Sequence, residues 1–267
     1  MPMLEANRLT FHYAEQGEGF PVLMGHSLLL DGDMFAPQVA ALSEKYRCIS
    51  IDFRGHGRSA AVSEPFTLED YRDDVFAVAD ALGIERFHWV GLSQGGMTGM
   101  RMALHRPERI AGLVLLDTSA DVEEPQKLQQ FRMFADQMRK APLAEPMAKM
   151  ALAMTFFTQD FLAENPGIES AYAQKLMGND GESIYHATMA VIERVSILDQ
   201  LAAIKLPTLI MVGERDTATT PEKSRQIHER ISDSAFKTIP GAAHISTLEN
   251  PDFVNEQLLT FFAGWEA

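Results

Sequence analysis

The sequence predicts an α/β protein, a mostly parallel, doubly wound sheet with a helical cap inserted into it. Three observations predict it. Short continuous apolar runs alternate with helical patterns, and strands covered on both faces of a parallel sheet read as such runs. Several runs end in polar, glycine-rich turns. One long stretch, 120–203, shows helical spacing alone. A composition of 46% hydrophobic and 22% charged residues over 267 residues is that of a globular chain long enough for an α/β domain plus an insertion.

The runs come in order. Residues 9–13 are rich in β-formers and precede the turn Gln16-Gly17-Glu18-Gly19. Runs follow at 21–24, 46–52, 87–92, 113–116, 208–212 and 235–239. Between them, Thr67-Leu68-Glu69-Asp70 reads as a helix start with acids in the first turn. Val75, Val78, Ala79 and Leu82 form its apolar face, and Gly83 stops it. Further helices are expected from Ser93 to His105, from Pro221, and from Pro251 with Phe253, Val254, Leu258, Leu259 and Phe262 facing inward. Right-handed crossovers between these units give the doubly wound sheet.

In 120–203 four stripes recur at helical spacing. They are Leu128/Phe131/Ala135/Met138, Leu143/Met147/Met150/Met154, Ile168/Tyr172/Leu176 and Ala187/Val191/Val195. Each is expected to pack on the domain below. Their Met and aromatic side chains would supply an adaptable apolar wall. The expected division is a core of 1–119 and 204–267 with a cap at 120–203.

Charge and cysteine content exclude several classes. A net charge of −14 repels phosphate backbones and anionic lipid, which argues against nucleic-acid and membrane partners. The solitary Cys48 excludes an intrachain disulfide and a multi-cysteine zinc site, and its apolar surroundings make it a small buried hydrophobe. No H-x-x-x-H or H-E-x-x-H spacing occurs, so no metal is expected. Glu5, Arg8 and His12 interrupt any early apolar stretch, and no run approaches the ~18 residues of a membrane span. The expectation is a cytoplasmic protein.

The chemistry centres on Gly91-Leu92-Ser93-Gln94-Gly95-Gly96. An apolar run precedes it and a helix follows, which is the context of a G-x-S-x-G nucleophile elbow. Ser93 must take strained backbone angles there. Gly91 and Gly95 flank it because side chains would strike the neighbouring strand and helix. The Gln94 amide then sits at a helix N-terminus, suited to a developing oxyanion. A serine needs a base held by an acid. Asp216 follows the run 208–212 and His244 follows the run 235–239. Asp117 also ends an apolar run and is a second candidate acid. His26 is expected to order its loop, and His56 to be structural. Arg132, Arg139 and Arg194 are possible partners for a substrate carboxylate.

With the order Ser…Asp…His, and with Asp52-Phe53-Arg54-Gly55-His56-Gly57-Arg58-Ser59 and Glu249-Asn250-Pro251, the chain resembles the α/β-hydrolase superfamily over nearly its whole length. Within it, Gly25-His26-Ser27-Leu28, Phe157-Thr158-Gln159-Asp160-Phe161 and Gly241-Ala242-Ala243-His244 are most similar to 3-oxoadipate enol-lactonases and small carboxylesterases. The resemblance implies Ser93 as nucleophile, His244 as base and Asp216 as its orienting acid. It implies Leu28 and Gln94 as oxyanion donors, with His26-Ser27 standing where the family has His-Gly. Ser27, Met150, Phe157 and Ile245 are expected to contact the substrate. The implied reaction is cofactor-free cleavage of a small ester or lactone through an acyl-enzyme. C–C bond hydrolases, perhydrolases and slow ligand sensors of the same fold remain alternatives. Ile245, where C–C hydrolases usually carry Trp, weighs against the first of these.

Overall fold

The structure is a computed structural model, and it describes residues 2–264. Eight strands form one sheet. They are β1 (Met3–Ala6), β2 (Leu9–Gln16), β3 (Phe20–Gly25), β4 (Tyr46–Ile51), β5 (Phe87–Leu92), β6 (Ile110–Leu116), β7 (Thr208–Gly213) and β8 (Ser234–Ile239), in the spatial order β1-β2-β4-β3-β5-β6-β7-β8. From β4 to β8 every pairing is parallel, while β1 and β2 add an antiparallel edge. Among the described residues the helices are α1 (Ala36–Leu42), α2 (Leu68–Ala81), α3 (Gln94–His105), α4 (Pro125–Lys140), α5 (Glu145–Ala151), α6 (Gln159–Glu164), α7 (Pro166–Gly178), α8 (Gly181–Ile192), α9 (Pro221–His228), α10 (Ser246–Glu249) and α11 (Pro251–Ala263).

Alternation along the strands divides the core in two. Val22, Met24, Val90 and Leu92 point to the face covered by α1 and α11. Leu23, Trp89, Leu113 and Leu115 point to the face covered by α2, α3 and α9. Both faces are buried, so β5, β6 and β7 are buried at every position and read as near-continuous apolar runs, with His88 and Thr208 as the polar exceptions. Cys48 is buried in the first layer, and burial pushes its thiol up to about 12. Helix α2 starts where the sequence placed it. Thr67 Oγ1 accepts from the Asp70 N–H while the Asp70 carboxylate accepts from the Thr67 N–H. Such a cap contributes about 1 kcal/mol.

Two features differ from expectation. The strand β1 was not foreseen. Its hairpin with β2 turns through Asn7 and Arg8, both at positive φ (43° and 65°), without the glycine that marks such turns in sequence. The stripe at Leu143, Met147, Met150 and Met154 does not pack as a unit. Leu143 is buried, but Met150 and Met154 are 56% and 71% exposed. The helical rotation is broken there, because α5 gives way to a π-helical turn over Leu152–Phe156. Val195 likewise lies past the end of α8 and is exposed.

Helices α4 to α8 all lie between β6 and β7 in sequence. The excursion leaves and returns at one place, where the Ile197 N–H donates to the Ala120 carbonyl at 3.0 Å. No helix among the described residues is long and apolar enough to cross a membrane.

Candidate active site

The turn from β5 to α3 places Ser93 at φ 54°, ψ −112°, a strained conformation for a residue with a side chain. The surroundings enforce it. The Ser93 N–H donates to the Leu116 carbonyl at 2.9 Å, and Thr118 Oγ1 donates to the Ser93 carbonyl at 2.7 Å. A Cβ on Gly91 would lie 2.2 Å from the Gly95 carbonyl oxygen, and one on Gly95 would lie 1.9 Å from that of Gly25. The two glycines are therefore required for the helix to start so close to β3, as the spacing predicted.

Asp216 follows β7 and His244 follows β8, so all three loops open at the C-terminal ends of parallel strands, where such sheets form their sites. His244 Nδ1 is 2.9 Å from Asp216 Oδ2. Asp216 also accepts from Ala218 N–H at 2.7 Å, Thr219 N–H at 3.0 Å and Thr219 Oγ1 at 2.8 Å. Burial works to raise this carboxyl. The imidazole and the Thr219 donors outweigh it and hold the carboxyl below its ordinary value. An ionised Asp216 accepts the Nδ1 proton of His244, which fixes the ring's orientation. Thr219 was not singled out in the sequence. The Asp-x-x-Thr spacing of a side-chain-capped turn was the available signal.

Asp117 sits elsewhere. It is fully buried at the end of β6, accepting from the Gly213 N–H at 2.7 Å and from the Ser246 hydroxyl. Burial, and then the charge of Asp216, push its carboxyl well above the ordinary range. It braces the β7 end against α10 and makes no bond to His244.

The loop after β3 carries Leu28. A turn closed by the Leu30 N–H to the Ser27 carbonyl puts Leu29 at φ 71°. His26 holds this loop. Its Nε2 accepts from the Phe53 N–H at 2.9 Å, so Nδ1 carries the proton and donates to the Ser27 carbonyl at 2.8 Å. Burial lowers the His26 pKa and keeps the ring neutral. Among the described residues the Leu28 and Gln94 amides donate to no acceptor of the chain.

Ser27, Leu28, Ser93, Gln94, Met150 and His244 line one cavity of about 450 Å³ between the sheet and the helical excursion. Its walls are largely apolar, with Phe131, Phe134 and Met147 opposite Ser93's loop. One end is charged. Glu123 there is paired with Lys127, Lys223 and Arg194. Two expected contacts fall outside this cavity. Phe157 is 2% exposed, stacked on Phe161 and edge-on to Tyr172, and borders a neighbouring groove. Ile245 is wholly buried in the core, because the helix that begins after it turns its side chain inward. Arg132 and Arg139 are likewise spent on Glu193 and Glu182 at the surface, and only Arg194 of the three borders the cavity. Among the described residues no group of three or more His, Cys, Asp or Glu could hold a metal ion.

A strained serine at the head of a buried parallel strand, on a sheet of this order, defines a hydrolase-type scaffold, and the chain belongs to the alpha/beta hydrolase fold family, whose profile matches residues 21–251. It is 28% identical over 254 residues to 3-oxoadipate enol-lactonase 2 of Acinetobacter baylyi, covering 94% of this chain and 92% of that one. The crystal structure of the enol-lactonase from Burkholderia xenovorans LB400 superposes with a TM-score of 0.91 at 29% identity, over 98% of this chain and all of the other. A thermophilic esterase from Thermogutta terrifontis gives 0.92 at 25% identity, over 100% and 99% of the two chains.

Proposed function

We propose that this protein is a serine hydrolase that cleaves a carboxylic ester or lactone, with the helices of 120–203 acting as a cap over the substrate. The observation that carries the reading is the meeting of three loops at one cavity: strained Ser93, and His244 held by an ionised Asp216. His244 Nε2 takes the Ser93 hydroxyl proton as the oxygen attacks the carbonyl carbon. The Leu28 and Gln94 amides hold the oxyanion. The tetrahedral intermediate collapses, the alkoxide leaves with the proton from His244, and the acyl group stays on Ser93. Water then gives its proton to His244 and attacks the ester; Ser93 leaves with that proton, and the acid is released. For a lactone, acid and alcohol depart as one molecule. The largely apolar cavity suits a small or medium acyl group, and the names of the enol-lactonase and esterase relatives agree with ester chemistry.

The test is Ser93→Ala assayed on p-nitrophenyl esters and small lactones. A fall of about 10⁴-fold or more in kcat is expected, with circular dichroism unchanged. A fluorophosphonate probe should label the parent at Ser93 alone. Near-normal turnover in the variant, or labelling elsewhere, refutes the reading. A stoichiometric burst with no steady turnover would instead mark a ligand sensor.

A further inference from the structure

The segment carrying His244 is tied to the helical excursion on both sides of the histidine. On the C-terminal side, the Ile245 N–H donates to the Phe156 carbonyl at 2.9 Å. On the N-terminal side, the Ala243 N–H donates to Glu249 Oε2 at 2.6 Å. The other oxygen of the same carboxylate, Oε1, accepts from the Thr158 N–H at 2.8 Å and from Thr158 Oγ1 at 2.7 Å. Residues 156 and 158 flank the end of the π-helical turn Leu152–Phe156, and the Phe156 ring stands edge-on to the imidazole at 6.1 Å between centroids. A π-helical turn is a rare interruption of the regular ladder and is frequent at functional sites. Here it presents the Phe156 carbonyl to the residue after the histidine.

Glu249 is the last residue of α10 and serves no charge partner at hydrogen-bond distance. Its three bonds all come from neutral donors, two on the helical excursion and one on the histidine loop. Only a carboxylate can accept on both oxygens, whereas an amide offers a donor on one side. A group of this shape joins two segments far apart in sequence, with the charge of Arg215 acting on it from beyond hydrogen-bond distance.

We propose that Glu249 is a positioning residue that fastens the cap to the histidine loop, so that the seating of the cap over the substrate sets the orientation of the His244 imidazole. This rests on the serine-hydrolase reading above. The carboxylate transmits position and takes no part in proton transfer. Misplacement of a base by about 1 Å is worth as much as 10²-fold in rate, so the clamp acts on kcat while the apolar walls that bind substrate stay as they are.

The experiment compares Glu249→Gln, Thr158→Val and the double variant with the parent, using kcat and KM on one activated ester. It adds the downfield proton resonance of His244 Nδ1–H, which reports the bond to Asp216. Glu249→Gln should lower kcat roughly 10- to 100-fold, shift KM little, and broaden the resonance. Thr158→Val should lower kcat less, and the double variant should fall no further than Glu249→Gln, because both changes break one linkage. Thr158→Ser keeps every bond and should restore the parent values, which keeps the proposal open to test if Glu249→Gln folds poorly. A Glu249→Gln protein with parent kcat, or a loss confined to KM with a sharp resonance, overturns the clamp; so does Thr158→Ser behaving like Thr158→Val. Ser93→Ala is run beside them. Turnover by that protein sinks the mechanism and leaves the clamp to be judged by the resonance, which does not involve Ser93.

Discussion

Two aspartates end neighbouring strands, and their surroundings give them opposite chemistry. Asp216 receives four donors, one of them the His244 imidazole, and is held ionised. Asp117 receives the Gly213 amide and the Ser246 hydroxyl, with Asp216's charge nearby, and is pushed toward its neutral form. In the proposed mechanism an asparagine at 216 offers the imidazole an amide in place of an acceptor. Asp216→Asn should therefore reduce kcat by about 10⁴-fold, the effect of the wrong tautomer. Asparagine at 117 can still accept from Gly213 and donate to Ser246, so Asp117→Asn should cost at most about tenfold. Its stability should diverge from the parent with pH. A carboxyl whose folded pKa is raised contributes its full share below the unfolded value of ~3.9 and loses it as pH rises. Asp117→Asn escapes that loss, so its advantage in denaturant midpoint should grow from acid to neutral pH. Equal kcat losses in the two variants, or a pH-independent difference, would show that the environments do not divide the roles this way.

At the scale of elements, the excursion between β6 and β7 has an inner wall and a packed interior. Met150 on α5 belongs to the wall and is half exposed in the cavity mouth. Phe157 belongs to the interior, between Phe161 and Tyr172. Met150→Ala should widen the cavity, shifting preference toward longer p-nitrophenyl esters with a stability change within about 0.5 kcal/mol. Phe157→Ala should cost about 3–5 kcal/mol and leave the chain-length ratio as it was. The opposite pattern would place the acyl pocket on the Phe157 side. These elements also mark where sequence was legible. Strands β3 to β7, and helices α2, α3, α9 and α11, stood out because burial on both faces and helix-start chemistry are local properties, and the half-exposed edge strand β8 was found from its run at 235–239. The hairpin turn at Asn7-Arg8 lacked its usual glycine, and the π-helical turn shifted the phase of the Met stripe. Of the site, Ser93, Asp216 and His244 were visible as turn residues after apolar runs. Thr219 and Glu249 were not read as site residues, because their partners are brought together only by folding: Thr219 borders the cavity beside His244, and Glu249 lies behind the histidine loop.

Across the whole molecule, three histidines are buried in a way that opposes protonation. Burial, followed by the neighbouring His26, takes His56 down to about 3. Burial, followed by Arg86, takes His88 to about 4, and burial also lowers His26. Each binds its proton first in the unfolded chain, at ~6.5. Stability is therefore full above that value and is lost as pH falls toward 4 for His88 and toward 3 for His56. The slope approaches about 1.4 kcal/mol per pH unit for each residue. Urea midpoints at about pH 7.5 and about pH 5 should differ, the acid one lower, when they are compared in Asp117→Asn, which removes the opposing change of that raised carboxyl. Equal midpoints would mean that these rings meet water in the folded state.

The meeting of the excursion's two ends, where Ile197 bonds Ala120, makes the excursion separable from the sheet beneath it. A segment whose ends touch is a cassette in the geometric sense: it can be lengthened, trimmed or exchanged by design while the strand registers beneath it stay as they are. The trade has one condition here. If the Glu249 clamp proposed above holds, an incoming cassette must bring a donor for Glu249 and a carbonyl for Ile245 to seat the histidine as well as cover the cavity.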